Sequence, residues 1–276
     1  MKIFNALVLL LAVFYAPYIH ADDTYSTEVG QFEKLKVNSN VKVIYRNLPD
    51  SIGMARYTGD EDISKVFIFT NKGKGTLRIQ LAQTQWNRKE APLLYVYSDF
   101  LSDVESSSDQ SVIIEDMPQC ASFNVNLIGN GEIIVENVKC MNLSAKISTG
   151  NGTVSISGKC TNASFQMIGA GQILADRLQS ENVKCKILGT GSIGCWPIDN
   201  LNVAGIGTTK IYYKGHPNIK KTGGGRLFEL PDSGNNFPKT GAEVKSFNNL
   251  NNNDEEAFEE DEEDYYNGKT VVTEDD

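Results

Sequence analysis

The sequence predicts an all-β protein: a right-handed parallel β-solenoid of about 20 residues per turn, followed by a disordered acidic tail. Three observations lead there. Gly-x-Gly returns about every twenty residues, apolar and polar residues alternate with period two before each return, and no stretch holds a helical period beyond a turn or so.

The chain opens with Met1 and Lys2, an apolar run from Ile3 through Ala16 broken by Asn5, and Tyr18-Ile19-His20-Ala21 ahead of Asp22-Asp23. That is the pattern of a secretory signal peptide over 1–21, cleaved after Ala21. The run is short for a membrane span and lacks a stop-transfer cluster. The expectation is therefore an exported chain, periplasmic, surface-bound or secreted, with no membrane span after cleavage.

The mature chain reads as one solenoid domain over 22–245, with N-terminal strands at 22–118 and Gly-x-Gly repeats at 119–230. The runs EKLKV, VKVIYR, KVFIF, TLRIQL and LLYVYS are rich in β-branched and aromatic residues. Turn signals such as Asn47-Leu48-Pro49-Asp50 and Lys72-Gly73-Lys74-Gly75 split them. They are expected to begin the same coil and cover its open first turn, because an uncovered sheet edge invites pairing with other chains.

The repeats carry Gly129-Asn130-Gly131, Gly150-Asn151-Gly152, Gly169-Ala170-Gly171, Gly189-Thr190-Gly191 and Gly205-Ile206-Gly207, with first-glycine intervals of 21, 19, 20 and 16. Ser108-Asp109-Gln110 fills the same slot one turn earlier, and Gly223-Gly224-Gly225 follows later. Before each turn the inward set is Phe123, Val125, Leu127; Leu143, Ala145, Ile147; Ala163, Phe165, Met167; Val183, Cys185, Ile187; Leu201, Val203. After each turn it is Val112, Ile114; Ile133, Val135; Val154, Ile156; Ile173, Ala175; Ile193, Cys195. Each repeat thus reads as strand, glycine corner, strand, corner. With no crossover helix, strands that restore the same side chains every turn must pair in parallel, about 4.8 Å apart. Right-handedness follows from the general preference of parallel crossovers. The glycines are assigned to bends that need positive φ.

The cysteines at 120, 140 and 160 stand twenty apart and should stack at one corner, while Cys185 and Cys195 replace core aliphatics. The reading is buried free thiols, with a bridge between stacked neighbours as the alternative.

From Ser246 onward, twelve Asp or Glu stand against Lys269. Such a block buries too little apolar surface to offset chain entropy, so 246–276 is expected to be disordered. The formal net charge of −9 then belongs to the tail and leaves the body near neutral. A near-neutral body with no basic stripe argues against nucleic acid as a partner.

Gly129-Asn130-Gly131-Glu132-Ile133, Gly150-Asn151-Gly152-Thr153-Val154 and Gly189-Thr190-Gly191-Ser192-Ile193 carry a resemblance. So do Gln31-Phe32-Glu33-Lys34-Leu35 as an opening strand and Ile211-Tyr212-Tyr213-Lys214-Gly215-His216-Pro217 as a closing one. On these the chain resembles the putative auto-transporter adhesin, head GIN domain family of exported Bacteroidetes proteins, over roughly 28–230. The resemblance implies a β-helical fold and a cell-envelope location, and implies no activity. The acidic residue usual after Gly-x-Gly is mostly Thr, Gln or Ser here, so no carboxylate role is carried to that slot.

Catalytic devices find little footing. His216 is the only histidine after the leader, so a Ser-His-Asp or Cys-His device would have to converge on its loop near Pro217, where nothing suggests one; a three-His zinc site is impossible and HExxH is absent. A polysaccharide-active solenoid would show acids in one outward slot of adjacent turns, and Glu132, Glu136, Asp176, Glu181 and Asp199 do not align that way. The calcium nonapeptide repeat is also missing. No catalytic residue, metal ligand or cofactor is assigned.

Binding is the class that survives. The first outward face carries columns Ser122, Asn142, Asn162, Asn182, Asn200 and Asn124, Ser144, Ser164, Lys184, Asn202. Asn142, Asn162, Asn182, Asn200, Lys184 and Lys186 are the binding candidates, for a glycan or an envelope protein, although aromatic platforms for sugar rings are missing from that face. The plainer reading is an asparagine ladder that steadies neighbouring turns. A polysaccharide-active β-helix enzyme and an envelope scaffold or stress-associated protein without a ligand are the alternatives.

Overall fold

The computed structural model describes residues 23–59, 65–71, 75–82 and 91–230. The leader expected at 1–21 and the tail expected at 246–276 lie outside them. In chain order the first strands are β1 (Asp23–Glu28), β2 (Lys34–Val37), β3 (Val43–Arg46), β4 (Met54–Gly59), β5 (Phe67–Asn71), β6 (Thr76–Leu81), β7 (Leu94–Tyr97), β8 (Asp103–Ser106) and β9 (Ser111–Ile114). They continue as β10 (Cys120–Ile128), β11 (Glu132–Thr149), β12 (Thr153–Met167), β13 (Gln172–Ile187), β14 (Ser192–Gly205), β15 (Lys210–Tyr213), β16 (Asn218–Gly223) and β17 (Arg226–Glu229). Among the described residues there is a 3-10 turn at Pro49–Ser51 and no α-helix.

All of these strands join one sheet that coils into a parallel β-solenoid. From β10 to β14 each turn pairs with the next at the expected positions, Leu143 over Phe123, Ala163 over Leu143, Val183 over Ala163 and Leu201 over Val183. Every inward residue named above is buried. The alternation therefore encodes the core directly, because successive side chains of a strand point to opposite faces.

Three features differ from the expectation. First, a turn has a third, short side. After face two (Glu132–Val135 and its equivalents) the chain bends at Asn137, at φ 53°, and Val138-Lys139-Cys140 pairs with Gly158-Lys159-Cys160 before face one begins at Asn142. Cys120, Cys140 and Cys160 lie in one register at the inner end of that side, buried, and all five cysteines are free thiols. Burial pushes the Cys120 thiol up; a hydrogen bond with Cys185, and then burial, raises Cys195.

Second, most corner glycines are there for space. Gly131, Gly152, Gly169, Gly171 and Gly189 do not have positive φ. A Cβ on Gly171 would stand 2.1 Å from the Gly152 carbonyl oxygen, and one on Gly189 2.2 Å from that of Gly169. Each turn's backbone sits directly on the one beneath, and only glycine fits between. The same contacts correct the register of the last corner. A Cβ on Gly205 would meet the Ile187 carbonyl, whereas Gly207 stacks on Gly189 and Gly224 on Gly207. Gly205 occupies an inward strand position opposite Ile187, so the corner column passes from Gly189 to Gly207 and the interval of 16 belongs to a strand glycine.

Third, the N-terminal turns stack out of chain order. β2 pairs in parallel with both β6 and β8, and β3 with both β7 and β9. The turn made by β2 and β3 is thus enclosed between one made by β6 and β7 and one made by β8 and β9. The outer end is closed by antiparallel strands, β5 on β6, β4 on β7 and β1 on β4. Tyr57 packs edge-on to Phe67 at 4.8 Å and face to face with Tyr25 at 5.4 Å within that closure.

Candidate binding face

Face one is built by β2, β6, β8, β10, the second halves of β11 to β14, and β16. Its outer surface is ordered in columns because in-register parallel strands place equivalent side chains one above another. The edge next to the short side carries Ser122, Asn142, Asn162, Asn182, Asn200 and Asn218 in register. The Asn162 side-chain amide donates to the Asn142 oxygen at 3.1 Å, Asn182 to Asn162 at 3.2 Å, and Asn200 to Asn182 at 2.8 Å. This is the ladder of the plainer reading, and it consumes one donor and one acceptor of each interior amide. The remaining N–H and oxygen lone pair still face solvent.

The next column runs Lys34, Asp103, Asn124, Ser144, Ser164, Lys184, Asn202, Lys220, and the one after it Lys36, Glu105, Asn126, Lys146, Gln166, Lys186, Ala204, Thr222. At the N-terminal end the charges are compensated, with Lys36 on Glu105 at 3.0 Å. Beyond Glu105 the described strands of face one carry no carboxylate. Lys146, Lys184, Lys186 and Lys220, scattered over 75 positions of the sequence, gather there. Lys184 and Lys186 were legible as candidates; the grouping was not, because it depends on the register of turns.

The acids behave differently from the sequence reading in one respect. Glu136 follows Val135, which pairs with Ile114, so Glu115 and Glu136 do share a column on adjacent turns. Glu115 is held by Arg46 at 2.6 Å. Burial, and then the charge of Glu115, raises the Glu136 carboxyl above its ordinary range. Of the other acids, Asp176 pairs with Lys214 at 3.1 Å and Glu132 accepts from Ser111 at 3.1 Å. His216 stands exposed, 3.3 Å from Glu229. Among the described residues no group of His, Cys, Asp and Glu could hold a metal ion, and no helix is long and apolar enough to cross a membrane.

Aromatic residues missing from face one lie on face two. Tyr95, Ile44, Ile113, Ile134, Ser155, Leu174, Gly194, Tyr212 and Phe228 follow one outward column there. Arg46 lies over the Tyr95 ring at 5.1 Å, and Tyr212 stacks on Phe228 at 5.2 Å. Continuous runs such as Val112-Ile113-Ile114 and Ile133-Ile134-Val135 carried this signal, since a strand apolar on both faces does not alternate.

At the glycine corner, the outward residue after face one is Ile168, then Leu188, then Ile206 on successive turns. Leu188 N–H donates to the Met167 carbonyl at 2.8 Å and Ile206 N–H to that of Ile187 at 2.9 Å, which sets the three in one column. Their exposures are 37%, 55% and 77%.

The family model for the putative auto-transporter adhesin, head GIN domain, matches residues 31–217. Among solved structures, the chain is similar to a putative adhesin from Bacteroides fragilis, at 21% identity and a TM-score of 0.65, covering 76% of this chain and 98% of that one. It is similar too to a putative lipid binding protein from Parabacteroides distasonis, at 20% identity and a TM-score of 0.60 over 77% and 98% of the two chains. A putative adhesin from Parabacteroides merdae matches at 19% identity and a TM-score of 0.56 over 77% and 98%. None of the curated proteins matches this chain.

Proposed function

We propose that this chain, which belongs to the putative auto-transporter adhesin, head GIN domain family, is an exported, non-catalytic protein of the cell envelope or surface that binds a glycan or protein partner through face one. The observation that carries the reading is the set of amide columns and uncompensated lysines at 142–220, held in fixed register by parallel pairing. The bonded amides of the ladder are already held in place and lose little freedom on binding an extended polymer, while the exposed lysines add positive charge at a fixed backbone spacing. The names given to the similar adhesins support binding over turnover.

A second reading rests on the Glu115 and Glu136 column. Two carboxylates in different environments are the minimum for glycoside hydrolysis. The test is binding to a glycan array together with turnover of every glycan bound. Saturable binding that Lys184→Ala/Lys186→Ala weakens, without turnover, supports the first reading. Cleavage abolished by Glu136→Gln overturns it in favour of the second.

A further inference from the structure

We infer that the Ile168, Leu188 and Ile206 corner, with the lysines beside it, is a docking surface for an anionic lipid bilayer. The inference rests on face one being a binding surface and names a partner for its glycine-corner edge. Exposed aliphatic residues scattered singly are ordinary on a protein surface. These three are not scattered: they occupy one column on consecutive turns, about 4.8 Å apart, and grow more exposed from 37% through 55% to 77%. They project from a corner of the coil, so they form a ridge, which can enter the headgroup layer as a concave pocket cannot. The residues at the tips of the same corners are small or polar, Asn130, Asn151, Ala170 and Thr190.

The charges flank the ridge on one side. Lys186 lies near the end of β13, two residues before Leu188 and about 7 Å from it in extended chain. Lys146 lies two turns from Lys186 in that column, and Lys184 and Lys220 are in the next. No carboxylate shares the face beyond Glu105; Glu181 and Asp199 lie across the asparagine ladder, at the far edge. From that edge to the corner, face one therefore passes from amide to ammonium to aliphatic. Long lysine stems can lay their methylenes along the ridge while the ammoniums reach lipid phosphates. Aliphatic insertion together with basic residues near an anionic headgroup layer is the combination that holds peripheral proteins on membranes.

The test is co-sedimentation of the chain without its leader, from Asp22 to Asp276, with phosphatidylglycerol/phosphatidylcholine vesicles and with phosphatidylcholine alone. Leu188→Ser/Ile206→Ser and Lys184→Ala/Lys186→Ala are compared with the wild-type chain, each checked for an unchanged thermal transition. The expected result is partitioning onto the anionic vesicles only, reduced about tenfold or more by either double substitution and by raised salt. Ile206→Trp should show a blue-shifted emission on adding those vesicles. Absence of partitioning, or partitioning indifferent to the serine pair with no Trp shift, overturns the inference. So does displacement by millimolar glycerophosphate that leaves the serine pair without effect, which would mean a phosphate site alone. Equal, ridge-independent retention on duplex DNA would make nucleic acid the partner instead. Loss of glycan or protein binding in the lysine pair with no vesicle binding in any chain leaves the adhesin reading standing and removes this one.

Discussion

Lys36 and Glu105 stand 69 residues apart in the chain and 3.0 Å apart in the fold. In a coil wound in simple order a residue meets partners about one turn away, as Asn162 meets Asn142. The long separation arises because β8 returns to the far side of β2 after β6 has occupied its near side. The first turn of the sequence is consequently an interior one. Leu35, Val37, Val43 and Tyr45 are all fully buried in it.

Removing residues 23–46 should therefore behave like cutting out the middle of the stack. We expect loss of the cooperative thermal transition rather than a lowered one, because β6 and β7 would face β8 and β9 across an empty layer. Circular dichroism melts of the truncated and full chains check this.

Glu105 should carry a measurable pH dependence. Burial pulls its carboxyl up, but hydrogen bonds from Lys36 and Asn126, with the charges of Lys36 and Arg78, outweigh it and hold the group below the usual range. A depressed carboxyl contributes stability that is present above its unfolded pKa and is lost as pH falls through its folded pKa. For so exposed a pair the effect of Glu105→Gln should be about 0.5–1 kcal/mol at pH 7. Denaturant melts across pH should show the effect fading as pH falls below the ordinary carboxylate range and through the lowered pKa of Glu105.

Gly171→Ala tests the stacked backbones. The nearest atom to the new methyl is the Gly152 carbonyl oxygen, 2.1 Å away, and neighbouring turns prevent either strand from backing off. The expected loss is about 3 kcal/mol, the upper range for overpacking. Gly75→Ala is the control, where φ is +65° and the nearest atom lies 3.5 Å away. That substitution should cost only the left-handed backbone, about 1 kcal/mol. Urea midpoints of the two variants should separate accordingly.

Asn162→Ala removes the donor to Asn142 and the acceptor from Asn182 in one substitution. Both bonds lie at an exposed edge where water replaces them, so we expect a loss of about 1 kcal/mol in urea unfolding. A fall in partner affinity larger than that of Asn142→Ala would place the middle of the ladder within the contact.

The solenoid itself was legible because period-two alternation and a twenty-residue return each demand parallel in-register strands, and the buried residues are those the alternation names. The ladder was legible for the same reason. What escaped depended on three-dimensional stacking. The lysine group and the Ile168, Leu188 and Ile206 ridge require knowing which residues share a column where turns shorten, as between Ala175 and Gln179. The glycine spacing misled at Gly205, since a glycine inside a strand and one at a corner look alike in sequence. Interleaving of the N-terminal turns left no local trace at all: Lys34-Leu35-Lys36-Val37 would read the same with one neighbouring turn or two.

The enclosed first turn also sets a timetable. A chain that emerges N-terminus first presents Val37 and Tyr45 long before Ile79 and Val96 supply one neighbour, and Ser106 and Ile114 the other. Until Ile114 is out, the opening strands are paired on one side at most, so the earliest residues to appear are among the late ones to be enclosed. Ser106 and Ile114 act as a latch thrown after the fact, and a helper that shields exposed strand edges would be needed longest at the very start of the molecule.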